Sequence, residues 1–66
     1  MQRDITPGVV SDPEVLGGRP VLHGRRIAVS QLVDQFAGGM ALSEIQDDYQ
    51  LSDAEIQALL WYIHEQ

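Results

Sequence analysis

Apolar and polar positions along the chain change rhythm near residue 30. Before that point the pattern is short and broken. Thr6-Pro7-Gly8, Asp12-Pro13, Gly17-Gly18 and Pro20 punctuate the first twenty residues. These are turn residues set around short extended pieces, and each proline biases the residue before it away from helix. Val21-Leu22-His23-Gly24-Arg25-Arg26-Ile27-Ala28-Val29 then reads as two β-type runs around Gly24-Arg25. Glycine first in a two-residue loop suits a type II′ hairpin. Leu22 then faces Ile27 and His23 faces Arg26. The period of two puts Leu22, Ile27 and Val29 on an inner face, with His23, Arg26 and Ala28 outside. A lone hairpin is marginal in water, so the inner face must pack on something.

After residue 30 the spacing becomes helical. Ser30 is placed to cap a first helix carrying Leu32, Val33 and Phe36, with Val29 before it, Met40 after it and Gly38-Gly39 as its stop. Ser43-Glu44-Ile45-Gln46 has the form of a capping box. It predicts a second helix with Leu42, Ile45 and Tyr49 on one side. Ser52-Asp53-Ala54-Glu55 is another such box, opening a third helix with Ile56, Leu59, Leu60 and Ile63 in register. Ala54, Ala58, Trp61 and Tyr62 fall on the opposite side, so this helix is apolar on two faces. The expected fold is mainly α: a short N-terminal β-hairpin, then a three-helix, helix-turn-helix-like unit. One domain over 1–66 is expected, with extended segments and hairpin over about 9–29 and helices over about 30–65.

Composition narrows the chemistry. With 66 residues the core is marginal, and chains of this size gain much from a partner. No cysteine is present, which removes disulfides, thiolate metal sites and a thiol nucleophile. His23 and His64 are too far apart in sequence to suggest a shared metal, and Asp47-Asp48 point in different directions on a helix. Neither a nucleophile–base pair nor a cofactor motif is apparent, so an enzyme is not expected. The glycines lack the spacing of a phosphate-binding loop. No apolar run reaches the ~20 residues of a membrane span, and MQRDITPG has no secretory core, which makes cytoplasm the expected location.

Charge is divided unevenly. Residues 1–33 hold all four arginines against three acids, a net +1. Residues 34–66 hold seven acids and nothing basic, a net −7. Such a half repels nucleic acid and attracts a basic protein.

The residues Gly18-x-Pro20-x-x-x-Gly24-x-Arg26-Ile27-x-Val29, a glycine-terminated helix, Ser43-Glu44-Ile45, Tyr49-x-Leu51-Ser52 and Ile56-x-Ala58-Leu59 follow in order. Together they resemble the bacterial and archaeal family called domain of unknown function 433, over about Val10 to Tyr62. The resemblance implies a homeodomain-like three-helix unit behind a β-hairpin. It also implies an antitoxin-like role beside a toxin resembling PIN-domain ribonucleases, whose sites hold a carboxylate cluster. The chain departs from the family pattern at Arg25, where a small hydroxyl residue is usual, and at Gln50, where proline is usual. The second departure is expected to loosen the joint between helices 2 and 3.

Arg26 is the first candidate for partner contact, since a guanidinium binds two carboxylate oxygens at once. The competing reading is an ordinary ion pair with its own helices. Arg25, at the loop tip, is expected to be freer still. Trp61, Tyr62 and Ala58 form the second candidate surface, for a homo-oligomer or a toxin groove. The leading functional expectation is an antitoxin-like binding protein that masks a PIN-like ribonuclease. The alternative is a small helix-turn-helix transcriptional regulator, with DNA touched only weakly through the basic hairpin.

Overall fold

The computed structural model describes residues 2–65. The expected domain limits, 1 and 66, lie outside the described residues. The chain runs β1 (Arg3–Thr6), β2 (Val9–Ser11), a single 3-10 turn at Leu16–Gly18, β3 (Val21–Leu22), α1 (Val29–Ala37), α2 (Leu42–Tyr49) and α3 (Asp53–His64). A short three-stranded antiparallel sheet, in the order β1-β2-β3, therefore precedes three helices. No helix among the described residues is long and apolar enough to cross a membrane.

The zipped hairpin is not the expected one. It is β1–β2, where Thr6 pairs with Val9 across a two-residue Pro7-Gly8 tip. Proline presets the first turn residue, and Gly8 takes φ +84°, which only glycine adopts without strain. A bulge between Asp4 and Thr6 adds twist. Strand β1 carries no alternating apolar pattern and is largely exposed, so periodicity does not announce it.

The predicted Val21–Val29 hairpin survives as one rung, Val21 opposite Ala28. Its tip is displaced by one residue, because Arg25 N–H donates to Leu22 O at 2.9 Å. Gly24 is thus the third residue of the turn, not the second, with φ +77°. Leu22 is then the first turn residue, opposite Arg25, and no longer stands across from Ile27. Leu22 instead pairs with Val9 of β2, and Ala28 is buried rather than outward.

One core joins sheet and helices. Val9, Leu22, Val29, Leu32, Ile45, Leu51, Ala58 and Leu59 form it, and Ile27, Val33, Tyr49, Ile56, Tyr62 and Ile63 pack against its edge. Val10 and Val21 are buried outside that cluster. They pair with each other, so the period of two sets them on the opposite sheet face from Val9 and Leu22. The connection between β2 and β3 folds back on its start, where Ser11 Oγ donates to Gly18 O at 2.6 Å.

Helix limits are partly as the sequence predicts. Ser52 caps α3 as expected: its Oγ accepts from Glu55 N–H at 3.1 Å, and Glu55 Oε1 accepts from Ser52 N–H at 2.9 Å. The other two serine caps are corrected. Helix α1 begins at Val29 with Ala28 as its cap, leaving Ser30 inside its first turn. Helix α2 begins at Leu42, and Glu44 reaches back to Ala41 N–H at 3.1 Å, so Ser43 lies within the helix. A glutamate three residues after the cap selects the start here, whichever residue precedes it. Phe36, which shares the helical spacing of Leu32 and Val33, is 41% exposed at the end of α1.

Both interhelix joints end in left-handed residues. After α1, Gly39 N–H donates to Phe36 O and Met40 N–H to Gln35 O, with Gly39 at φ +102°. After α2, Gln50 N–H donates to Asp47 O and Leu51 N–H to Gln46 O, with Gln50 at φ +56°. Both are Schellman closures. The second holds a non-glycine residue, and the joint is closed rather than loosened.

Candidate functional site

Arg25 is held, not free. The turn at Leu22–Arg25 aims its side chain at the α2–α3 joint. Nε and Nη2 donate to the two carboxylate oxygens of Glu55, each at 2.8 Å. Nη1 donates to Tyr49 O at 3.1 Å and Nη2 to Gln50 O at 2.9 Å. One guanidinium therefore grips the first turn of α3 and closes the carbonyl end of α2, where a cation also suits the helix dipole. The Arg25 hydrogen bonds, and then the Ser52 N–H, hold the Glu55 carboxyl below the usual carboxylate range. This corrects the expectation of a mobile tip residue. The internal ion pair foreseen for Arg26 is made by its neighbour. Sequence pattern alone does not reveal that pairing, since Glu55 is already accounted for as the capping-box acid.

Arg26 is exposed, as are Arg19 and His23. The structure gives the Arg26 guanidinium no hydrogen bond or ion pair among the described residues. The competition between Arg25 and Arg26 for the internal carboxylate has a geometric cause. The turn ends at Arg25, and the next residue leads away toward the Val21–Ala28 rung.

The second candidate surface divides in three. Ala58 is buried beneath the β1–β2 tip, so tightly that a Cβ on Gly8 would lie 2.5 Å from the Ala58 Cβ. Only a small edge of Ala58, 9% exposed, remains at the surface. Tyr62 is half-buried, packs against the core edge, and lines a shallow depression with Ser30, Val33 and Asp34 of α1. Trp61 alone stays open, at 54% exposed. It forms one wall of a groove of about 310 Å³ whose other residues are Pro7, Gly8, Ala54, Gln57 and Ala58. The sequence marks Pro7-Gly8 as a turn but gives no sign that the turn lies on α3.

Arg25, Arg26, Glu55 and Trp61 all fall within residues 9–63, which match the family described as "Protein of unknown function (DUF433)". The chain belongs to this family. No curated protein and no solved structure matches the chain significantly. Within the DUF433 span lie the glycine and proline positions that shape the site. Gly18 is left-handed, at φ +89°. Pro20 O accepts from Val29 N–H at 2.9 Å, which fixes the entry to α1. Gly24 sets the turn that delivers Arg25, while Ile27 and Val29 anchor its far side in the core. The Pro7-Gly8 wall of the groove immediately precedes the DUF433 span. Among the described residues, no group of three or more His, Asp or Glu side chains is placed to hold a metal ion.

Proposed function

We propose that this DUF433 chain is an antitoxin-like binding protein that neutralises a PIN-like ribonuclease by covering its acidic site. The observation that carries the reading is the contrast between two adjacent arginines. Arg25 is consumed by Glu55, whereas Arg26 stands exposed with its donors available. A guanidinium of that kind suits a carboxylate cluster better than an ammonium would, because it offers paired donors in a fixed plane. The three helices are read here as a homeodomain-like, helix-turn-helix unit. That reading is supported by the short Gln50–Ser52 joint and the serine-capped third helix.

Direct recognition of DNA by α3 is disfavoured by its charge. Asp53 and Glu55 occupy its first turn, Asp53 and Glu65 are exposed, and His64 is its one basic side chain. Phosphates would meet like charge along this helix. An anisotropy titration of duplex DNA with the chain alone is expected to give weak, sequence-independent binding. Nanomolar, sequence-specific binding would replace the antitoxin reading with the regulator.

The direct test is a cleavage assay with a PIN-like ribonuclease from the same genome. An equimolar amount of this chain is expected to suppress RNA cleavage. Arg26→Ala is expected to restore cleavage while leaving the circular dichroism of the free chain unchanged. Losing one partner of a desolvated interfacial charge pair costs about 2–5 kcal/mol. Undiminished cleavage at several-fold excess of the wild-type chain would exclude the role. An unfolded Arg26→Ala would show that the side chain is structural.

A further inference from the structure

The groove beside Trp61 has a charge pattern that bears on what can occupy it. Asp53, Gln57, Trp61 and Glu65 are spaced four residues apart and form one ridge along α3. All four are exposed. The ridge borders the apolar floor at Ala54 and Ala58, opposite Pro7 and Gly8. An acid therefore stands at each end of the ridge, with the indole between them. From the helix rise, Glu65 lies about 6 Å beyond Trp61 and Asp53 about 12 Å before it. Gln46 Nε2 donates to one Asp53 oxygen at 2.9 Å, a neutral contact that leaves the carboxylate charge in place.

Ridge-to-ridge pairing with a second copy fits this surface poorly. Antiparallel pairing of two such ridges sets Asp53 against the partner's Glu65 at both ends. Parallel pairing sets each acid against itself. Either arrangement brings like charges together across an apolar strip.

We propose that this groove binds a basic segment of a partner protein, with an apolar side chain seated against Trp61, Ala54 and Ala58 and a lysine or arginine on each side reaching Glu65 and Asp53. The volume of about 310 Å³ admits a large apolar side chain but not a whole helix. The acidic ends then select against neutral and acidic competitors. The proposal rests on the reading of this chain as a protein-binding module and names the chemistry of one contact surface.

Trp61 is the only tryptophan, so its emission reports occupancy directly. The probe is a synthetic peptide of leucines flanked by lysines, titrated into the full chain at moderate salt. A second peptide carries glutamate in place of each lysine. The lysine peptide is expected to shift Trp61 emission to the blue and to move the amide resonances of Gly8, Ala54 and Gln57. Gln57→Lys places a cation at the centre of the ridge and is expected to weaken binding about tenfold. The double change Asp47→Asn with Asp48→Asn removes two exposed charges from α2, a larger change in net charge. It is expected to weaken binding less than about twofold, since those acids border no part of the groove.

Equal binding of the glutamate peptide would overturn the proposal. So would an unmoved Trp61 emission, or a loss from the α2 double change as large as that from Gln57→Lys. The two readings fail separately. Peptide binding at the groove without suppression of the ribonuclease would retire the antitoxin role and leave this site standing. Suppression of the ribonuclease with Trp61 unperturbed by the lysine peptide would retire this site alone.

Discussion

Arg25 and Glu55, thirty residues apart in sequence, meet through two parallel 2.8 Å hydrogen bonds. The same guanidinium closes the last carbonyls of α2 at Tyr49 and Gln50. A single side chain thereby ties the strand-to-helix connection, the end of α2 and the start of α3 into one joint. The pair is partly exposed, so its worth comes from geometry and shared acceptors more than from charge alone.

Replacing Arg25 with alanine is expected to lower unfolding stability by about 2 kcal/mol, since charge-assisted bonds and two carbonyl closures are lost together. Arg25→Lys is expected to recover only part, because an ammonium cannot satisfy two carboxylate oxygens and two carbonyls from one plane. Urea denaturation followed by circular dichroism measures both. Equal stability of wild type and Arg25→Ala would show that the joint holds without the clip.

Acid should loosen the same joint. Glu55 is held below the usual carboxylate range in the folded chain, first by Arg25 and then by the Ser52 N–H. The unfolded state therefore takes up its proton at higher pH than the folded state does. The stabilisation is complete above the unfolded carboxylate range and is lost as pH falls through the lowered folded value. Stability measured from pH 7 to pH 3 is expected to fall less steeply in Glu55→Gln than in wild type. Identical slopes would mean that Glu55 does not contribute to the acid sensitivity.

Gly8→Ala tests how closely the β1–β2 tip lies on α3. The new Cβ would sit 2.5 Å from that of Ala58, in a residue at φ +84°. A loss of about 3 kcal/mol is expected from overpacking and backbone strain together. Adding Ala58→Gly removes the clash but not the φ strain, and introduces a helical glycine. It should therefore restore only part of the loss. Thermal melts of the three variants measure this, and no change in Gly8→Ala would place the tip farther from the helix.

Gln50 offers a pair of changes with opposite signs. Glycine relieves the left-handed strain at φ +56° and gives up only an exposed 3.3 Å bond from Gln50 Nε2 to Asp47 O. A gain of about 0.5–1 kcal/mol is expected. Proline cannot reach positive φ and removes the N–H that donates to Asp47 O, so Gln50→Pro is expected to cost about 3 kcal/mol or more. Chemical denaturation compares the two, and a stabilised proline variant would show that the joint can close in another backbone form.

Local chemistry made much of this molecule legible in one dimension. The three helices follow from apolar spacing, the α3 cap from Ser52 with Glu55, and the α1 stop from Gly38-Gly39, because each is decided within a few residues. Membership in the DUF433 family rests on the order of such local signals. Pairing across the chain was a matter for the tertiary structure. Strand β1 has no apolar alternation to betray it, and Leu22 is equally suited to face Ile27 or Val9. The choice between Arg25 and Arg26 is a shift of one residue in a turn, which sends one guanidinium inward and leaves the other in water. Trp61 and Tyr62 share a helical face in projection, yet the core extends far enough around α3 to take the tyrosine and stops before the tryptophan. Residue type and spacing specify the elements; which side chain is consumed by the fold and which is left in solvent depends on how the elements meet.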